Sequence, residues 1–458
     1  MRRKVLYVLM LLSLASVSML ARDSKFTRHG TGPKYWIAYE WCFDNDKPIP
    51  EKRWQQNIDW MADNLKEYGY DMICNDGWIE DAQTINENGY ITKYNSSWLN
   101  GFSYWNKYIA EKGMKVGVYY NPMWLTRAAF FSNAKVQGTD DIKPSDIVGS
   151  HSFNSELFWV DVNKKGAEQW IKGYVRYFIN LGVSYLRIDF LENYERNYGT
   201  EAYAQALKWI EEEAGDDLFI SLVMPNCFNH GETEIKYGDM IRVSNDCFKG
   251  GWDFLSNRSR GRHKSYWPQY DNVFDGFIAF SDITKPGQLI ADGDFMRLAS
   301  LRDVEEMRFE FSLMVMAGSA LCVADEFDTA TKEVLEVYKN RELLALNEEG
   351  FVADPYSLDI SASSSSCWFG KTKDGDVILG LFNREETEIS YRIDFKEVLG
   401  LEQEDVENIR DLWRHKDLGS FSSGYSTTLQ PHSCRILRIH PGKGKSRYSG
   451  FLSGCSKN

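Results

Sequence analysis

"VSYLRIDFLEN", residues 183–193, has strand periodicity that ends in charge. Leu186, Ile188 and Phe190 form one apolar face at period two, and Tyr185, Arg187 and Asp189 form the other. Branched and aromatic residues favour a strand, and the helix-like run before it stops at Gly182. An arginine followed by an aspartate on one face of a buried strand needs a reason. A lone aspartate at a strand end is ordinarily a helix cap or a paired structural charge. The neighbouring segments decide between that reading and a functional one.

The same texture recurs along the chain. Strand candidates are "YWIAYEW" (35–41), "YDMICND" (70–76), "MKVGVYY" (114–120), "SYLRIDF" (184–190), "LFISLVM" (218–224), "MIRVSND" (240–246), "GQLIAD" (287–292) and "GSALCVAD" (318–325). Helical patterns such as "AEQWIKGYVRYFINLG" and "EAYAQALKWIEEEAG" separate them, several ending at a glycine that suits a C-cap. Eight strand–helix units in series predict an α/β fold, a (β/α)8 TIM barrel over residues 30–348. An open doubly wound sheet is the competing layout, but no glycine-rich phosphate turn follows the first strand. From 350 to 441 the segments become short and alternating ("CWFGKT", "DVILGLFN", "ISYRIDF", "CRILRIH"), which predicts a C-terminal antiparallel β-sandwich. Residues 442–458 read as a disordered tail. Their "GKGKS" is no phosphate loop, because Ile439 stands where its first glycine belongs.

Bulk properties narrow the function. The net charge of -13 excludes nucleic acid as a natural partner, since phosphate binding needs a basic surface. Aromatics make up 14% with 15 Trp; beyond core packing, such rings suit the C–H faces of sugars. Residues 1–21, "MRRKVLYVLMLLSLASVSMLA", have the basic start, apolar run and small-residue end of a signal peptide, with cleavage after Ser18 or Ala21. The mature chain is therefore expected to be secreted or periplasmic and free of the membrane. The 8 cysteines show no CxxC pair and no metal spacing, so neither a metal nor another cofactor is expected. Cys42 and Cys74 are candidates for a bridge between neighbouring loops, with free buried thiols as the alternative.

Two connections are too long to be plain loops: Pro122 to about Phe158, and Cys247 to about Gly287. Both follow a strand's C-terminal end, where barrels build active sites. The second mixes Trp252, Tyr266, Trp267 and Tyr270 with Arg258, Arg260, Arg262 and Lys264, as either a subsite wall or a solvated surface loop. In the sixth strand, Arg242, Ser244 and Asp246 share a face and repeat the device seen at Arg187 and Asp189. Two carboxylates at the mouth without a metal suit glycoside hydrolysis, one ionised to attack and one protonated to release the leaving oxygen. Arg187 beside Asp189 is expected to favour its charged form.

These segments resemble glycoside hydrolase family 27, the retaining α-galactosidases and α-N-acetylgalactosaminidases. "YLRIDF" is similar to the family's "YLKYD", "GYDMICNDGW" to "GYxYxxxDDCW", and "GMKVGVYYNP" to "GLKLGIYSD". "IRVSND" resembles "WRISGD" and "DGDFM" resembles "DPDML"; "VILGLFNRE", "IRDLWRHKDLG" and "PHSCRILRI" extend the likeness through the second domain. The resemblance implies Asp189 as nucleophile and Asp246 as acid/base. It also implies Arg242 and Arg187 as sugar-side cations and Trp41 as an aromatic platform. Asn75 and Asp76 stand where the family uses two aspartates for O4 and O6.

Departures bear on the sugar. Asn75 replaces the first aspartate of that pair and Arg187 replaces a lysine. Val223, in "SLVMPN", falls where galactosidases place a glutamate near the 2-position. The leading expectation is a retaining exo-glycosidase acting on terminal α-D-galactoside-like residues of an oligosaccharide or polysaccharide. The alternatives are an α-N-acetylgalactosaminidase, a β-L-arabinopyranosidase, an isomaltose-releasing glucanase, or a non-hydrolytic glycan-binding protein. Binding alone needs no matched acid and nucleophile, which disfavours the last. No GxSxG elbow supports a serine hydrolase.

Overall fold

The computed structural model describes residues 32–77, 79–247, 249–256, 270–396 and 406–441. The expected signal peptide, the C-terminal tail and the stretch containing Arg258, Arg260, Arg262, Lys264, Tyr266 and Trp267 lie outside the described residues.

β1 (Lys34–Ile37), β2 (Met72–Cys74) and β3 (Lys115–Tyr119) pair in parallel. The chain then leaves the ring to build β4 (Trp124–Thr126), β5 (Val148–Ser152) and β6 (Leu157–Val160), an antiparallel sheet ordered β4-β6-β5. The first long connection is thus a small sheet in its own right. The ring resumes with β7 (Val183–Ile188), β8 (Phe219–Leu222) and β9 (Met240–Arg242). β10 (Ile290–Asp292) pairs with β9, whereas β11 (Phe295–Met296) pairs with β12 (Leu321–Val323), which returns to β1. β10 and β11 are two halves of one broken strand, and counting them once gives a closed barrel of eight parallel staves. Paired stretches are shorter than the sequence segments because residues beyond them leave the ladder to line the mouth.

The second unit begins with β13 (Asp354–Pro355), β14 (Cys367–Lys371), β15 (Val377–Phe382) and β16 (Ile389–Asp394). It continues with β17 (Val406–Asp411), β18 (Lys416–Phe421), β19 (Gly424–Leu429) and β20 (Cys434–Pro441). Six strands form an antiparallel sheet ordered β13-β14-β15-β20-β17-β18, and β16 pairs with β19 alone. Alternate residues of β15 serve two cores. Leu379 and Leu381 pack between the sheets with Ile393 and Leu437, while Ile378 and Phe382 join the core of the barrel. Phe382 meets Phe309 at 5.0 Å and Phe274 at 5.6 Å between ring centres, so barrel and sandwich share one apolar interior.

Gly293 sits at the break between β10 and β11. A Cβ there would overlap the Phe277 ring and the Met314 sulfur, and the next residue, Asp294, is left-handed at φ 72°. Gly293→Ala is expected to lower stability by about 1–3 kcal/mol through overpacking, read as a reduced urea midpoint at unchanged m-value.

Candidate active site

Tyr185 and Arg187 point into the barrel: the Tyr185 ring lies 5.3 Å from that of Tyr35 across the interior, and Arg187 sits above them toward the mouth. The ladder of β7 ends at Ile188, so Asp189 occupies the first position beyond it. Its Oδ2 accepts from the Tyr119 hydroxyl at 2.9 Å and its Oδ1 from the amide of Phe190 at 2.6 Å. Asn121 Nδ2 donates to the Asp189 carbonyl at 2.8 Å. Phe190 takes up φ 59°, a conformation that costs a bulky residue about 1–3 kcal/mol. Its ring is trapped against Phe153, 4.4 Å between centres, and against Trp124 of β4. The inserted sheet therefore holds the strained turn that fixes Asp189.

Arg187 does not reach Asp189. Its guanidinium pairs with Asp292 at 2.7 Å, and with Asp76 and Asp294 at 3.3 Å each. Arg242 pairs with Asp246 at 2.6 Å and with Asp294 at 2.8 Å, so Asp294 bridges the two arginines. The cluster is anchored by backbone: the Cys247 amide donates to Asp294 Oδ2 at 2.7 Å, and the Asp294 amide to Asp292 Oδ1 at 2.9 Å. Asp76, Asp292, Asp294, Arg187 and Arg242 are buried, whereas Asp189 and Asp246 keep partial exposure. Those two carboxyls are the accessible members of the cluster, above a floor of buried charge.

The protonation pattern corrects the expectation for Arg187. Burial first, then the charge of Asp246, push the Asp189 carboxyl up to about 6, and the lowering by Arg187 and Arg242 does not offset them. Burial likewise raises Asp76, and it raises Asp294 to about 7 despite both arginines. Five aspartates around two guanidiniums leave the site short of positive charge.

Asp246 lies four residues beyond Arg242, the last residue of β9 paired with β10, yet its backbone is held. The Val243 amide donates to Asp292 O at 3.0 Å, and the Asn245 amide to Tyr270 O at 2.8 Å. The Tyr39 hydroxyl approaches Asp246 Oδ2 at 3.4 Å. Tyr39 is the aromatic that its segment brings to the cluster, packed on Phe295 and Phe43.

Trp41 and Asn75 are not brought into this cluster. The Trp41 ring lies between the Lys47 ammonium and the Arg53 guanidinium, 5.6 and 5.9 Å from its centre, because the helix Tyr39–Asn45 turns it away from Tyr39. Asn75 alternates with Asp76 and faces the opposite side. Its Oδ1 accepts from the Tyr119 amide at 3.2 Å, and its buried Nδ2 has no partner among the described residues. Val223 is buried, its amide donating to Ile188 O at 2.8 Å. Cys42 and Cys74 are free rather than bridged: the Cys42 thiol faces Asp76 O and Tyr94 OH, and that of Cys74 faces Asn75 O. Asp292, Asp294, Tyr39 and Tyr119 were missing from the sequence reading. "DGDFM" held the only signal, two aspartates astride a glycine at a strand end.

The profile of the alpha galactosidase C-terminal beta sandwich domain matches residues 362–439. Isomalto-dextranase of Arthrobacter globiformis is 43% identical over 458 residues, covering 94% of this chain and 71% of that one. The Arthrobacter globiformis T6 enzyme complexed with panose superposes with a TM-score of 0.87 at 42% identity, covering 93% of this chain and 75% of that chain. Alpha-galactosidase 2 of Arabidopsis thaliana is 21% identical over 396 residues, 85% of each chain. A GH27 β-L-arabinopyranosidase from Geobacillus stearothermophilus, in complex with arabinose, shares the fold at TM-score 0.74 and 19% identity, covering 91% of this chain and 98% of that one.

A raised carboxyl makes a stability prediction. Asp189 binds its proton more tightly folded than unfolded, so its contribution is fully present below about pH 4 and is lost as pH rises through about 6. Asp189→Asn removes the cost of burying that charge. It is expected to raise stability at pH 8 by on the order of 1–3 kcal/mol and to leave it nearly unchanged near pH 4, measured by denaturant titration at both values.

Proposed function

Because the chain belongs to glycoside hydrolase family 27 and is a glycoside hydrolase, we propose that it is a retaining, isomaltose-releasing α-glucanase, with Asp189 as nucleophile and Asp246 as acid/base. The observation that carries the substrate is the likeness to isomalto-dextranase: 43% identity at nearly full coverage of this chain, against 21% for the plant α-galactosidase. This prefers one of the expected alternatives to the galactoside first expected.

The site supports the choice chemically. Galactosidases of the family hold O4 and O6 with an aspartate pair; here one member is Asn75, whose Oδ1 is already engaged by the Tyr119 amide. An enzyme that releases isomaltose must accept a glucosyl unit whose O6 carries a further glucose. A carboxylate gripping a free O6 would oppose that substituent, and its loss suits an extended α-1,6-linked chain. Asp76 stays to accept from ring hydroxyls, kept in place by Arg187.

In the first step the ionised Asp189 attacks the anomeric carbon, the C–O bond to the leaving sugar breaks, and Asp246 gives its proton to the departing oxygen. In the second, Asp246 takes a proton from water, the hydroxide attacks the same carbon, and Asp189 leaves as carboxylate. Two inversions retain the α-configuration. Arg242, donating to Asp246 at 2.6 Å, steers the acid/base carboxyl, and the Tyr119 hydroxyl orients the nucleophile. With residues 1–21 as an export signal, the mature enzyme meets its polymer outside the cytoplasm.

Incubation with dextran, isomaltotriose and aryl α-galactosides tests the substrate: isomaltose from the first two is expected, and turnover of the galactoside alone would restore the galactosidase reading. Asp189→Asn is expected to lower turnover at least about 10⁴-fold on every substrate. Asp246→Asn is expected to lose much less on a nitrophenyl glycoside than on dextran, since a nitrophenolate departs with little acid help. Since Asp189 must be ionised, kcat/KM is expected to fall about tenfold per unit below pH about 6.

A further inference from the structure

β9 loses its neighbour early. β9 and β10 stop pairing at Arg242 and Asp292, where the stave breaks at Gly293 and at Asp294, which is left-handed at φ 72°. Residues 243–245, which carry the backbone up to Asp246, would have an open edge on that side. Tyr270 fills it: it bridges Ser244 in parallel, accepts from the Asn245 amide at 2.8 Å and donates to Val243 O at 3.4 Å. A single residue from the far side of the second long connection therefore acts as the missing strand.

The joint beneath Tyr270 is closed from the other domain. Two residues on, Asn272 donates to Ser256 O at 2.9 Å and accepts from the Asp275 amide at 2.9 Å, tying the outgoing stem of the connection to the incoming one. Arg384, just past β15 of the sandwich, closes the same joint. Its Nε donates to Leu255 O at 3.0 Å, Nη2 to Ser256 O at 2.7 Å, and Nη1 to Asp275 Oδ1 at 3.0 Å. The ion pair is buried on both sides, and the guanidinium lies 4.4 Å above the Phe274 ring centre. Three fixed donors reaching two carbonyls and a carboxylate is a geometry only arginine supplies.

We infer that Arg384 of the β-sandwich is a positioning residue for the acid/base Asp246, acting through the Ser256–Asn272 joint and the one-residue strand at Tyr270. The sandwich is then a working part of the active site rather than a passenger. The inference rests on the acid/base role proposed above for Asp246, and its test separates the two.

Arg384→Met and Asp246→Asn are made in the full chain and assayed on isomaltotriose and on isomaltosyl fluoride. Azide is present in the fluoride assay, so that the glycosyl-enzyme is released without a base. Arg384→Met is expected to lose at least tenfold on isomaltotriose and less than threefold on the fluoride, a smaller copy of the split shown by Asp246→Asn. Equal losses on both substrates, or none, while Asp246→Asn shows the split, would overturn the positioning role. No split in Asp246→Asn itself would overturn the acid/base assignment and this inference with it. Should Arg384→Met lack a cooperative melt, Arg384→Lys decides in its place, keeping the charge for Asp275 while lacking the three-point fork. The same split supports the inference, and its absence refutes it.

Discussion

Everything at the mouth of the barrel depends on how two guanidiniums are shared among five aspartates. Arg187 and Arg242 project from β7 and β9 into a region with almost no water contact, and each would be costly there without anions. Asp294 touches both, so the two strands are linked electrostatically across the broken stave that lies beside β9. The arrangement is deliberately incomplete. A fully neutral cluster would hold every carboxyl ionised, whereas this one leaves Asp189 and Asp294 elevated and electrostatics finely balanced near neutral pH.

Much of this was legible in the sequence because it is written in strand periodicity. Period-two alternation placed Arg187 and Asp189 on one face, and the same pattern at Arg242 and Asp246 made coincidence a poor explanation. Each of the eight staves overlaps an expected segment, since parallel strands buried on both sides read as apolar runs. What periodicity could not give was the direction of a side chain once the ladder ends. Trp41 sits on a helical turn rather than a strand, so the residue delivered to the cleft is two positions earlier, at Tyr39. Asn75 and Asp76 are adjacent and must diverge, and only one enters the cluster. The strand expected to end at Asp292 continues, after a break at Gly293, as β11; a break needs a packing reason, which lies in Phe277 and Met314 on the helices before and after it.

The family motif with paired aspartates is here altered at one member of the pair, Asn75, while Asp189 and Asp246 keep their places in the motifs they resemble. On the proposed reading, losing one carboxylate of that pair loosens the grip on the sugar's far side, so that a substituted O6 is accepted. The inserted sheet β4-β6-β5, through Trp124 and the adjoining Phe153, braces the strained Phe190 next to Asp189.

The shared interior of the two units has an evolutionary corollary. Phe274 and Phe309 of the barrel are covered by Phe382 and Trp368 of the sandwich, so neither half presents a finished surface when severed from the other. Recombination between relatives that cuts near residue 350 would join two faces never selected to fit. Such chimeras should be rare survivors, and lineages carrying this architecture are expected to inherit both halves as a single cassette.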